Sequence, residues 1–170
     1  MKKILLTIFA LTISFGLGFA LDRLITNRSN SSKMKRVTGI GGIFFKCKDP
    51  EAMKHWYHAH LGLQVGQWGT TFETRQADHP ERKSLLQWCT FRENSKKFDP
   101  SKKDFMINYR VENLDWLIGM LREEGVQVLG EVEKYDYGKF CQIMDPEGNK
   151  IELWEPNDET YDKMVEGRTK

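Results

Sequence analysis

Apolar and polar positions along the chain fall into short alternating runs, interrupted twice by a helical spacing. Thr38 to Lys48 alternates, with Ile43, Phe45 and Cys47 on one face and Gly42, Phe44 and Lys46 on the other. Asp49-Pro50-Glu51 then opens a helix with a capping acid, a proline at the first helical position and an acid in the first turn. Met53, Trp56 and Tyr57 form its apolar stripe, and Gly62 stands where a helix end turns left-handed. The pattern predicts strands at Leu63 to Trp68, Thr71 to Arg75 and Ser84 to Phe91, with a charged loop from Gln76 to Lys83.

Phe105 to Glu112 alternates again, and Asn113 caps a second helix. In it Leu114, Leu117, Ile118 and Leu121 follow the i, i+3, i+4, i+7 spacing that buries one face. Gly125 ends that helix, and three strands are predicted at Val126 to Val132, Phe140 to Met144 and Lys150 to Trp154. The order strand, helix, strand, strand, strand thus occurs twice. Phe45-Lys46-Cys47-Lys48-Asp49 aligns with Tyr109-Arg110-Val111-Glu112-Asn113 as the same strand-to-cap transition, which predicts an internal duplication. Before the last strand, Asp145-Pro146-Glu147-Gly148 has the composition of a type I turn. Alternation then puts Lys150, Glu152 and Trp154 on one face of that strand and Ile151 and Leu153 on the other.

Composition adds limits. A chain of 170 residues, 39% hydrophobic and 29% charged, suits one domain with appendages. The formal net charge is +2, and Lys2, Lys3, Arg23 and Arg28 against Asp22 contribute +3, so the rest of the chain stands at −1. The remainder is close to neutral, so no nucleic-acid partner is expected. Lys2 and Lys3 precede the uncharged run Ile4 to Leu21, the pattern of an export signal, with Gly18-Phe19-Ala20 as a cleavage site, or of a retained membrane anchor. Either reading places the domain outside the cytoplasm, periplasmic or anchored and facing outward, with the membrane met only through this segment. The boundaries are then 1–21 for the signal or anchor, 22–37 for a polar linker, 38–157 for the domain and 158–170 for a polar tail. Within the domain, unit one spans 38–92, a linker 93–103 and unit two 104–157. Cys47, Cys89 and Cys141 are single cysteines in apolar runs, read as buried thiols, with room for one bridge in an oxidising compartment.

The repeated order, the entries KCKDPEAMKHWYHAHLGL and YRVENLDWLIGMLREEGV, and above all DPEGNKIELWEP resemble the vicinal oxygen chelate superfamily of glyoxalases, extradiol dioxygenases and bleomycin-resistance proteins. The resemblance implies an α+β fold: two βαβββ repeats form a curled mixed sheet with helices outside and a ligand on the concave face. Metal-dependent members of that superfamily use one donor from the first and last strand of each unit. Carried onto this chain, those positions are Gly42, Gln87, Met106 and Glu152, of which only Glu152 is an anion. No metal or other cofactor is therefore expected, and a divalent ion, were one held, would rest on Glu152 and Gln87.

His55, His58 and His60 read as a solvated helix surface rather than a metal cluster. Candidate ligand-binding residues are Arg110, Asn108, Gln87, Trp88, Trp154, Trp68, Glu73 and Tyr135, with Phe72, Arg75 and Met106 beside them and Glu152 as the candidate catalytic acid or base. Three functions compete. The first is metal-independent binding of a small aromatic or amphipathic molecule. The second is a glyoxalase-like lyase or isomerase built on Glu152, and the third is an interaction module without a pocket. The superfamily contains both single-chain and two-chain arrangements, so a monomer and a homodimer both stay open.

Overall fold

The computed structural model describes residues 35–167. The export or anchor segment and most of the linker after it lie outside the described residues. Among the described residues no helix is long and apolar enough to cross a membrane.

Among the described residues seven strands form one sheet: β1 Gly39–Cys47, β2 Thr70–Arg75, β3 Lys83–Arg92, β4 Phe105–Arg110, β5 Val128–Tyr135, β6 Gly138–Met144 and β7 Lys150–Pro156. Among the described residues three α-helices accompany them: α1 Pro50–Leu61, α2 Leu114–Glu123 and α3 Asp158–Met164. The strand order is β2-β3-β1-β4-β7-β6-β5. Each unit pairs its first strand with its last in parallel, β1 with β3 and β4 with β7, and the units join antiparallel through β1 and β4. That symmetry is what the duplicated sequence order requires.

The caps form as the sequence dictates. Asp49 accepts from the N–H groups of Glu51 and Ala52 at 3.0 and 3.1 Å, and Gly62 ends α1 at φ +68°. Asn113 accepts from the Trp116 N–H at 3.0 Å. In the β6–β7 turn the Gly148 N–H donates to the Asp145 carbonyl at 3.1 Å, while the Asp145 carboxylate accepts from the Glu147 and Asn149 N–H groups.

Both α1 and α2 cover the back face of the sheet. The α2 residues Leu114, Leu117, Ile118 and Leu121 pack with Cys141 and Leu153 into one buried cluster. Tyr57 of α1 lies 4.6 Å, ring to ring, from Trp88, which in turn meets Phe45.

Two predicted elements are corrected. Leu63 to Trp68 is not a strand: Gly66 and Gly69 bond to each other through both N–H groups, at 2.9 and 3.1 Å, and close a tight turn with Gln67 and Trp68 at its tip. Unit one therefore has three strands where unit two has four. The 158–170 tail, expected to be merely polar, contains α3, because Tyr161 and Val165 fall one helical turn apart and pack on Leu85 and Trp154. The three cysteines are free thiols. Burial raises the pKa of each above the usual thiol range.

Candidate functional site

The front face, opposite α1 and α2, is crossed by one in-register row: Thr71, Gln87, Gly42, Asn108, Glu152 and Gln142. Strand alternation places Leu85, Phe44, Met106, Arg110, Trp154 and Phe140 on the same face. The second-unit member of the row is thus Asn108 and not Met106, which pairs with Phe44 two residues further along. Counting seven residues back from the Asn113 cap reaches Met106, and only the strand pairing shows that Asn108 stands opposite both Gly42 and Glu152.

Glu152 is 4% exposed and fully engaged. It accepts from Asn108 Nδ2 at 3.1 Å, Gln142 Nε2 at 3.2 Å and Lys97 Nζ at 3.0 Å. Lys97 comes from a short 3₁₀ turn, Lys96–Phe98, inside what reads in sequence as a plain linker. Phe98 anchors that turn, with no exposed surface, among Phe44, Met106, Cys89 and Phe91. Lys150 Nζ donates to the Lys97 and Asp99 carbonyls at 2.8 and 2.9 Å, and burial followed by the neighbouring Lys97 charge pushes its amine pKa down.

The far end of the front face is closed by α3. Arg110 Nη2 donates to Asp158 Oδ1 at 2.7 Å, and Tyr161 packs edge-on against Trp154 at 4.8 Å. Arg110 also lies over the Trp154 ring, 5.2 Å from its centroid. Arg110 and Trp154 therefore serve the contact with α3 instead of an open ligand face.

The remaining candidates separate. Trp88 faces the other way, under Tyr57 on the back of the sheet, because it is one residue out of step with Gln87. Glu73 is held by Arg75 and Lys83 at 3.0 Å each. Tyr135 stacks on Tyr137 at the β5–β6 hairpin and donates to Glu133 at 2.7 Å. Phe72 points to the back face by alternation, in register with Leu86.

Trp68, Thr71 and Gln87 do come together. They line a pocket of about 760 Å³ with His58, Gln64 and Gln67. Its rim is the Leu63–Gly69 loop, and four side chains hold the carbonyls of that loop. His58 Nδ1 lies 2.8 Å from the Leu63 oxygen, Thr70 Oγ1 donates to Gln64 at 3.0 Å, Lys54 Nζ donates to Gln67 at 3.0 Å, and Gln87 Nε2 donates to Trp68. Thr71 Oγ1 in turn donates to Gln87 Oε1 at 2.8 Å. Gly69, at φ +94°, lets the loop press on β3, where a Cβ would run into the Trp88 carbonyl. Gln87 is thus a positioning residue for the loop. Sequence reading missed Lys54, His58 and Thr70 in this role, although Lys54 and His58 stand at the i, i+4 spacing that shares a helix face.

The row does not fit a divalent metal. Gln87, Gly42, Asn108 and Glu152 supply one carboxylate, the Lys97 ammonium already faces it, and the Phe44 ring lies where a side chain on Gly42 would project. Among the described residues no three His, Cys, Asp or Glu side chains gather as a metal-ligating cluster.

Comparison with known proteins agrees with the fold. The crystal structure of methylmalonyl-CoA epimerase from Mycobacterium tuberculosis is 24% identical over 75% of this chain and 93% of that one, with a TM-score of 0.50. The Streptomyces coelicolor methylmalonyl-CoA epimerase in complex with 2-nitronate-propionyl-CoA is 21% identical, covering 71% and 99%, with a TM-score of 0.52. At these identities the likeness extends to the fold alone. No curated protein matches the chain. The model of the glyoxalase-like domain family matches residues 42–154, from the glycine at the centre of the row to the tryptophan under α3. The chain therefore belongs to the glyoxalase-like domain family of the vicinal oxygen chelate superfamily.

Proposed function

We propose that the protein binds a small amphipathic molecule without a metal, and that it does so in the pocket of unit one rather than at Glu152. The observation that carries this reading is the contrast along one row. At the Glu152 end the carboxylate is bonded to Lys97, Asn108 and Gln142, and a strap and α3 cover the face. At the Gln87 end a cavity of about 760 Å³ remains, beside an indole that is 63% exposed. Cavities of this size, part aromatic and part polar, suit small-molecule ligands.

Acid–base catalysis by Glu152 draws less support, because a substrate would first have to displace Lys97 and open the strap held by Phe98. The exported location stands as part of the proposal, resting on the Lys2-Lys3 and Ile4–Leu21 pattern.

A compound screen by thermal shift on chelator-treated protein tests the reading. A ligand at one hundred times its Kd stabilises by about 2.7 kcal/mol, a rise of several degrees for a domain of this size. Ligands that act only after a divalent ion is added would overturn it.

A further inference from the structure

Among the described residues, the walls of the unit-one pocket contain no Asp, Glu, Lys or Arg. They do contain Trp68, Gln64 and Gln67, and the side-chain amides of these two glutamines make no hydrogen bond among the described residues. Each free amide offers one acceptor oxygen and two N–H donors. The carbonyls of the same loop are held by His58, Thr70, Lys54 and Gln87, so the indole is presented on a frame that needs no ordering when a ligand arrives.

We infer that the ligand is an uncharged ring edged with hydroxyl or amide groups, in other words a saccharide ring. Its face of C–H groups lies on the Trp68 indole, and its hydroxyls bond to Gln64 and Gln67. This inference rests on the binding function proposed above and names the ligand class for the same pocket. Three features select the class. An anionic ligand finds no Lys or Arg among the described residues of the walls. A purely aromatic ligand would desolvate the two glutamine amides without giving them partners. A ring that is apolar on one face and polar on its edge satisfies both the indole and the amides.

A free sugar and the terminal ring of a glycan present this same chemistry, and the test separates them. Saturation-transfer NMR and tryptophan fluorescence on the full chain would compare N-acetylglucosamine, its β-1,4-linked trimer, gluconate and p-cresol. The saccharides are expected to bind about tenfold more tightly than gluconate or p-cresol, a difference of about 1.4 kcal/mol. Trp68→Ala should weaken saccharide binding about tenfold and Gln67→Ala about threefold, with unchanged circular dichroism. Trp56→Ala, on the exposed surface of α1, serves as the control and should leave binding as it is. A trimer that binds more tightly than the monomer supports a glycan end, and equal affinities support a free sugar. Binding of p-cresol at Trp68 without any saccharide overturns the saccharide assignment and leaves small-molecule binding in place. No binding by any of the four probes overturns both.

Discussion

In unit two, α2 buries Leu114, Leu117, Ile118 and Leu121 against β6 and β7, whereas in unit one α1 fully buries only Pro50 and leaves Trp56 half exposed. Full burial of a large aliphatic side chain stabilises by about 1.5–3 kcal/mol, so the better core belongs to unit two. Unit one gives up a strand and gains a loop held by side chains, with a pocket behind it. One copy of the duplicated element has kept the work of holding the sheet together, and the other is free to carry a site.

Substitution breaks this comparison most clearly at the core. Leu117→Ala should cost about 2–5 kcal/mol, while Trp56→Ala should stay within about 0.5 kcal/mol, both read by urea denaturation. Similar losses at the two positions would mean that the halves contribute alike. Gly69→Ala comes next, at about 1–3 kcal/mol, since the left-handed backbone and the Trp88 carbonyl both oppose a Cβ. Its loss of affinity for the pocket ligand should exceed what the stability change explains.

Much of this division was legible in the sequence. The 114, 117, 118, 121 spacing names the buried face of α2 outright, and the Asp145 turn and the Asp49 and Asn113 caps form as their residue types require. Glu152 also stands on the face that alternation assigns to it. The partners of Glu152 were not legible. Lys97 sits in a charged linker, where only Phe98 signals burial, and contacts across 55 residues leave no local period. Met106 in place of Asn108 is an error of counting from the caps, since the residue that joins the row is set by pairing with β1 and β7 and not by its distance from Asn113. Trp88 and Gln87 are neighbours whose faces are assigned only when the pairing register is known.

Lys97→Met sharpens the account of the closed end of the row. Removing the ammonium leaves a buried carboxylate with two amide donors, at a cost of about 1–2 kcal/mol, held low because Lys97 is itself partly exposed. Adding Glu152→Gln to that variant should recover most of the loss. Failure to recover would show that Lys97 acts through the anchoring of its strap instead of through charge.

The smallest effect concerns acid. Asp145 is held below the usual carboxylate range, first by the Asn149 side chain and then by backbone N–H groups of Asn149 and Glu147. Asp115 is lowered by its hydrogen bond to Lys139. Both belong to unit two. For a carboxyl lowered on folding, the stabilisation is complete above the unfolded-state pKa and is lost as pH falls through the lower folded value. Melting temperature followed from neutral pH down to about pH 2 should therefore fall less steeply in Asp145→Ala than in wild type, from a lower starting value. Parallel curves would remove Asp145 from the acid response.

Binding affinity in metal-free protein, compared between Trp68→Ala and Glu152→Gln, bears most directly on the division of labour. A ligand taken from the thermal-shift screen is titrated into chelator-treated wild type and both variants, with tryptophan fluorescence or calorimetry as the readout. Trp68→Ala should weaken binding about tenfold, or about 1.4 kcal/mol, and Glu152→Gln should leave Kd within about twofold. Loss of binding in Glu152→Gln with Trp68→Ala unaffected, or binding that returns only with a divalent ion, would contradict the account.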